Sequence, residues 1–151
     1  MVKIVLDTNV IINAARGEGS YGKRILDLIR WGEIEAAISD PVKREQKLIL
    51  ERLVNDAVMR KAAKEYFSLA KMVEPVEIQI EIEDSEDIKL LELAVGAKAD
   101  FLVSDDEHLL VVGDFKGVKI IKPSEFWQWW QTQQDNTGAS WATWAKSVLG
   151  K

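Results

Sequence analysis

Acidic residues cluster directly after an apolar run in the second half of the chain. Residues 98–110 read KADFLVSDDEHLL, so Asp105, Asp106 and Glu107 follow the apolar residues 101–103 after a single serine. One capping side chain is enough to begin a helix, which leaves the additional acids unexplained. Crowded carboxylates repel one another, and a divalent cation such as Mg²⁺ or Mn²⁺, which prefers oxygen ligands, would relieve that repulsion.

Acids also lie next to three other short, largely apolar runs. Asp7 follows VKIVL, Glu45 lies six residues past Ser39 and the run IEAAIS, and residues 84–87 (DSED) follow VEIQIEIE. Each cluster taken alone is explained by helix capping. Ser104 and Glu107 would form a capping box, Asp7 or Asn9 would cap the first helix, and residues 84–87 would form a cap with an acidic first turn. Four such clusters in a chain of net charge −5 favour a shared cation.

Short apolar runs alternate with segments of helical periodicity along the chain. The predicted strands are residues 2–6, 34–39, 76–83, 100–104 and 118–121. The predicted helices are residues 8–15, 23–31, 41–54, 56–72 and 87–95 and one that opens at Pro123, with a loop at Gly17, Gly19 and Gly22. This alternation predicts an α/β three-layer sandwich with a central, mainly parallel sheet. Ligands bind such sheets outside the carboxyl ends of the strands, where Asp7 and Asp106 would lie.

The helix that begins near Pro41 can be phased at about 100° per residue. Val42, Ile49 and Leu53 then form the buried stripe, Glu45 lies at its margin, and Glu51 faces solvent on nearly the opposite side. We therefore expect Glu45 to be the acid of this helix that reaches a cleft. Lys43 and Lys47 lie on the exposed side, as a solvated face or as contacts to a nucleic-acid backbone.

Composition excludes several kinds of chemistry. The chain has 151 residues, enough for one ordinary domain, and it has no cysteine, which rules out disulfides and thiolate sites. Its single histidine, His108, excludes a zinc site with two histidines and is more typical of a surface position than of a catalytic base. No apolar run approaches the ~18 residues of a membrane span. We expect a cytoplasmic protein without a membrane association.

Five segments in order resemble the PIN-domain family of metal-dependent ribonucleases, especially the bacterial and archaeal branch that includes the VapC-type toxins of toxin–antitoxin pairs. The matching segments are VLDTNVIINAA, ISDPVKREQKLIL, EDSEDIKLLELA, ADFLVSDDEHLL and VKIIKPSEFW, which together extend over residues 2–130. The resemblance implies a PIN-like fold. By position, the four catalytic and metal-binding acids of that family fall on Asp7, Glu45, Asp87 and Asp106, and its neighbouring polar residues fall on Asn9 and Ser104.

One of these positions departs from the family pattern. The family usually has Ser or Thr, then a small residue, then the acid, whereas this chain reads Ser104-Asp105-Asp106. Asp105 is therefore an alternative metal ligand, and we favour Asp106 because it precedes His108 at the expected distance. Asp84 is a similar, weaker alternative to Asp87.

The resemblance implies metal-assisted hydrolysis of phosphodiesters in single-stranded or structured RNA, with Mg²⁺ or Mn²⁺ as the cofactor. It further implies a toxin with an antitoxin partner, and a homodimer. One alternative is a catalytically inactive PIN-like binding or scaffold module. A haloacid-dehalogenase-like phosphatase would need an acid two residues after Asp7, where this chain has Asn9. A receiver-type signalling domain does not suit the order of the acids.

We divide the chain into a PIN-like nuclease domain at residues 1–130 and a tail at residues 131–151. Residues 131–140 (QTQQDNTGAS) read as a linker, and WATWAKSVL places Trp141, Trp144 and Val148 on one face of a short amphipathic helix. Such a short helix needs a partner surface. That surface is either the domain itself, near Trp127, or a second subunit or antitoxin, and a disordered tail is the remaining alternative.

Overall fold

The computed structural model describes residues 1–17, 20–53 and 56–134. Six strands form one sheet within these residues: β1 (Lys3–Leu6), β2 (Glu35–Ile38), β3 (Lys71–Met72), β4 (Phe101–Val103), β5 (Asp114–Phe115) and β6 (Val118–Ile121). The same residues include the helices α1 (Thr8–Arg16), α2 (Tyr21–Arg30), α3 (Asp40–Leu53), α4 (Ala57–Leu69), α5 (Ser85–Ala97), α6 (Glu107–Leu110) and α7 (Pro123–Gln134). Among these helices, none combines the length and apolar character that crossing a membrane requires.

The sheet is mostly parallel and is flanked by helices, which confirms the predicted three-layer α/β sandwich. Its strand order is β3-β2-β1-β4-β6-β5, with only the β5–β6 pair antiparallel. Leu6 pairs with Val103 and Val103 pairs with Ile121, so β1, β4 and β6 end at the same edge. The residues that follow β1 and β4, Asp7 and Ser104, therefore come together.

The core lies on both sides of the central strands. Ile4, Val5 and Leu6 of β1 are completely buried, as expected for a central parallel strand covered on both faces. α5 packs on β1, β2 and β4 and also contacts α3, whereas α1, α2, α4 and α7 pack against one another. Phe126 of α7 lies edge-to-face against Phe101 of β4, with 5.4 Å between ring centroids. This contact anchors the last described helix to the sheet.

The predicted strand at residues 76–83 is wrong. This segment is extended but pairs with no strand in the described part of the chain. It runs along α5, where the amide of Val76 donates to the carbonyl of Glu92 and a Cβ at Gly96 would collide with the Glu74 carbonyl oxygen. Ile78 is buried and its neighbours are exposed. The period-2 pattern therefore reflects packing against a helix and the core.

Two strands at the sheet edges were not expected. α4 ends at Leu69, not near Met72, and residues 71–72 instead form β3, which pairs in parallel with β2. β5 pairs antiparallel with β6 through the tight turn at Lys116 and Gly117, both of which have positive φ. Both strands have only two residues, too few to produce a readable alternation.

The predicted burial of Leu53 and the predicted loop at Gly22 are also wrong. Leu53 is 60% exposed, and the buried positions of α3 are Val42, Gln46 and Leu50. Gly22 is not in a loop but in the first turn of α2, where an added Cβ would lie 2.7 Å from the Val10 carbonyl oxygen of α1. That glycine allows the close approach of α1 and α2.

The last described helix, α7, extends beyond residue 130. α7 continues to Gln134, so residues 131–134 are helical and are not part of a linker. The rest of the predicted tail, residues 135–151, lies outside the described residues, as does the proposed amphipathic helix.

Candidate functional site

An acidic pocket of about 160 Å³ opens beyond the carboxyl ends of β1 and β4. Its walls come from the start of α1, one face of α3, the first turn of α5 and the residue before α6. Its acidic residues are Asp7, Glu45, Asp84, Glu86, Asp87 and Asp106. The structure thus brings together acids from four separate segments of the chain, including all four that the resemblance assigned.

Asp7 is the residue directly after β1 and is buried beside the end of β4. Its amide donates to the Val103 carbonyl at 3.0 Å, and its Oδ2 accepts a hydrogen bond of 2.6 Å from the Ser104 hydroxyl. Asp7 occupies the N-cap position of α1 but makes no side-chain capping hydrogen bond there. Burial raises the pKa of Asp7, the Ser104 hydrogen bond lowers it, and the nearby Asp106 carboxylate raises it further. Asn9 is exposed at the rim of the pocket.

Asp106 lies in the pocket, whereas Asp105 is exposed and does not line it. Asp106 caps α6 by accepting from the His108 amide at 2.9 Å, and its own amide donates to Ser104 Oγ at 2.9 Å. The predicted capping box between Ser104 and Glu107 is therefore wrong. Ser104 is completely buried, and its hydroxyl joins Asp7 to the backbone of Asp106.

Asp87 is a buried acid of the pocket whose pKa is strongly raised. It is only 4% exposed, and its Oδ2 is buried without a hydrogen-bond partner among the described residues. Burial, together with the nearby carboxylates of Asp106, Asp84 and Asp7, raises the pKa of Asp87 to about 6. Asp84, by contrast, caps α5 by accepting from the Glu86 amide at 2.8 Å, as predicted for this segment.

Glu45 projects from α3 towards α5, where Lys89 forms an ion pair with its Oε1. Lys89 was not singled out from the sequence. Lys89 lies on α5, only two residues past Asp87. The helical phase of α5 alone cannot show that the side chain of Lys89 faces an acid of α3. The pair places a cation of the protein itself at one of the four assigned acids.

Gln46 is a second residue that the sequence did not reveal. It is 2% exposed, its Nε2 donates to the Leu6 carbonyl at 2.9 Å, and its Oε1 has no partner among the described residues. This bond fixes α3 to the end of β1, directly before Asp7. A glutamine within the buried stripe of an amphipathic helix was the available signal.

The donor set fits a hard divalent cation in its chemistry. The pocket offers carboxylate oxygens, one of which is buried without a partner among the described residues. Burial, and then the neighbouring carboxylates, raise the pKa values of Asp7 and Asp87. No three acids of the described residues, however, already lie close enough to hold an ion between them. Ser104 holds one oxygen of Asp7, and Lys89 holds one of Glu45. A cation held by three of these acids therefore requires side chains to reorient.

Comparison with known proteins identifies the family. A family model described as the PIN domain matches residues 3–108, which is more than half of the chain, so the chain belongs to the PIN-domain family. Members of this family are generally nucleases, and they generally use divalent metals. No significant match was found among curated proteins.

Proposed function

We propose that this protein is a Mg²⁺- or Mn²⁺-dependent endoribonuclease. The observation that carries the proposal is the gathering of Asp7, Asp87 and Asp106 around one pocket, with a buried oxygen of Asp87 left without a partner. Burying a carboxylate among other carboxylates costs free energy unless a cation compensates it. Membership of a family whose members are generally nucleases supports hydrolysis of a phosphodiester, and RNA is the substrate that we propose.

The acidic and polar residues of the pocket would have different roles in the reaction. Asp7, Glu45, Asp87 and Asp106 would hold the metal, and we prefer Asp106 to its weaker alternative Asp105, which is exposed and does not line the pocket. A bound divalent ion supplies charge stabilisation and an activated water. Ser104 fixes the orientation of Asp7 through its hydroxyl. Asn9, exposed at the rim, is placed to hydrogen-bond a phosphate oxygen or a water.

Cleavage of RNA as a function of metal concentration tests this proposal. Purified protein, first freed of metal by a chelator, is incubated with a mixture of unstructured and hairpin RNAs while Mg²⁺ or Mn²⁺ is added. We expect cleavage to begin with added metal and to stop again with excess chelator. Cleavage that is unaffected by the chelator would exclude the metal-dependent mechanism.

A catalytically inactive binding or scaffold module is the second candidate function. The Lys89–Glu45 ion pair favours it, because a lysine already neutralises one of the four acids. The same titration distinguishes the two candidates. An inactive module would bind RNA or a protein without cutting RNA at any metal concentration.

We further propose that the protein acts in the cytoplasm as a VapC-type toxin, as a homodimer neutralised by an antitoxin. The motif resemblance and the absence of cysteine support this assignment. Induced expression in a bacterial host should arrest growth, and the Asp7→Asn variant should not. Sedimentation velocity of the purified chain tests the homodimer.

A further inference from the structure

A second and larger concave surface lies between α3 and α4. This groove has a volume of about 540 Å³ and lies away from the acidic pocket. α3 contributes Lys43, Lys47, Leu50 and Glu51 to the groove but a separate set of residues, including Glu45, to the acidic pocket. Since successive residues of a helix are rotated by about 100°, the two surfaces flank opposite sides of the same helix.

The walls of the groove are strongly basic in an otherwise acidic protein. Lys43 and Lys47 of α3 face Arg60 and Lys64 of α4 across it, and Glu51 is the single acid among the described residues that line it. Within the described residues, none of these four cations forms an ion pair. Lysines elsewhere in the same residues do, as in the Lys23–Asp27, Lys71–Glu35 and Lys89–Glu45 pairs. The charge of the groove is therefore free to act on a partner.

The floor of the groove is apolar. Leu50, Met59 and Ala63 form it and are largely buried, and Phe67 closes one end beneath the ammonium group of Lys47, 5.8 Å from the ring centroid. Basic walls above an apolar and aromatic floor are the combination that binds single-stranded nucleic acid. Phosphates contact the cations, while bases lie on the apolar surface without sequence selection.

We propose that this groove binds the single-stranded stretch of RNA that flanks the scissile phosphate. The inference rests on the proposed ribonuclease activity and names a substrate-binding surface for it. A strand cut in the acidic pocket reaches the groove by crossing α3, whose width with side chains is about 10–12 Å. The span corresponds to a few nucleotides. Arg44 and Arg52 lie on the exposed side of α3 that the strand would cross.

Charge favours RNA over an acidic protein segment as the occupant. The net charge of −5 and the acids of the pocket both repel a polyanionic substrate, so its affinity must come from a local basic surface. The groove supplies that surface on the side of α3 opposite the proposed cleavage site. Cations on both walls match a repeating anion better than a few isolated carboxylates.

Binding measurements on charge variants test the proposal without requiring activity. The probe is a short fluorescein-labelled oligouridylate, titrated in chelator with protein that carries Asp7→Asn. Lys47→Gln with Lys64→Gln removes one cation from each wall. Lys61→Gln with Lys119→Gln is the matched control, since both side chains are exposed outside the groove and the net charge changes equally. All these positions are on the surface, and circular dichroism checks the fold.

We expect the groove pair to weaken binding at least about tenfold at low salt. It should also reduce the slope of log affinity against log salt by about 1.4, or ~0.7 for each lost phosphate contact. The control pair should change affinity less than about twofold. Glu51→Gln removes the one acid of the groove and should tighten binding, an effect of opposite sign that a folding defect would not produce.

Equal effects from the two lysine pairs, or no effect from the groove pair, would overturn the proposal. Polyglutamate binding gives a further test. If the groove pair loses polyglutamate binding but keeps oligouridylate binding, the groove binds an acidic protein partner instead. Failure of the ribonuclease proposal looks different. In that case the wild type cuts no RNA at any metal concentration, whatever the groove variants do to binding.

Discussion

The hydroxyl of Ser104 donates a hydrogen bond of 2.6 Å to Oδ2 of Asp7, joining two residues 97 positions apart in the chain. The hydroxyl oxygen of Ser104 also accepts a hydrogen bond of 2.9 Å from the amide of Asp106. One buried hydroxyl therefore ties the end of β1 to the end of β4 and fixes the relative positions of two proposed metal ligands. Its contribution to stability can be measured separately from any activity.

Ser104→Ala should destabilise the protein by about 1–3 kcal/mol, because a buried carboxylate and a backbone amide both lose their partner. Urea unfolding in chelator measures the change. Ser68→Ala, at an exposed serine of α4, is the control and should stay within about 0.5 kcal/mol of the wild type. A Ser104→Ala variant as stable as the wild type would show that this hydrogen bond is not important for the fold.

The central strands could be predicted because burial on both faces leaves an uninterrupted apolar run, as in residues 2–6. The segment at residues 76–83 could not, since alternation reports one buried face and does not report whether that face meets a sheet or a helix. β3 escaped detection because only its pairing with β2 distinguishes two exposed residues from a loop.

Stability in the absence of metal should depend on pH through Asp87. Its pKa in the folded protein is raised to about 6 from an ordinary value of 3.8. The folded state thus holds this proton more tightly than the unfolded chain does, and unfolding releases it between these two values. The contribution of Asp87 to stability therefore falls as pH rises from about 4 to about 6 and then levels off.

Comparison with Asp87→Asn isolates this contribution from that of other carboxylates. The free energy of unfolding of the wild type, minus that of the variant, should fall by about 1–3 kcal/mol between pH 4 and pH 7. Urea unfolding in chelator at both pH values provides the measurement. A difference that is constant or that increases with pH would mean that Asp87 is not held in a repulsive environment.

Lys89 should compete with a metal for Glu45. Lys89→Gln frees the Glu45 carboxylate and removes a positive charge, so Mn²⁺ affinity should rise about two- to fivefold, as expected for a partly exposed pair. Lys89→Arg keeps the charge and should bind Mn²⁺ like the wild type. The electron paramagnetic resonance signal of free Mn²⁺ measures both affinities. Weaker binding by Lys89→Gln would contradict the placement of Glu45 among the ligands.

Asp7→Asn should leave the metal-free protein at least as stable as the wild type at neutral pH. The substitution removes a buried charge near Asp106, while the amide oxygen can still accept from Ser104. A gain of about 1 kcal/mol would raise the melting temperature by about 2–4 °C. Differential scanning calorimetry in chelator measures it, with Glu33→Gln at an exposed turn as the control. A large loss of stability would assign Asp7 a structural role.

The site was predictable in part. Asp7 and Asp106 follow strands that had to end at one edge, so their proximity follows from a parallel sheet. Glu45 was placed by helical phase and by the resemblance. Helical phase also puts Gln46 in the buried stripe of α3, but it cannot show that Gln46 bonds to Leu6 or that Lys89 faces Glu45, because these partners are 40 and 44 positions apart in the sequence. Such contacts depend on the relative rotation of packed helices and strands.

The most direct measurement compares RNA cleavage by wild type, Asp7→Asn and Glu33→Gln while Mg²⁺ or Mn²⁺ is titrated into metal-free protein. We predict metal-dependent cleavage by the wild type and by Glu33→Gln. Asp7→Asn should lose at least about a hundredfold, because loss of even a residue that only orients a metal ligand typically costs about 10–100-fold. Cleavage by Asp7→Asn at the wild-type rate and with the wild-type metal dependence would contradict the assignment of the acidic pocket as the active site.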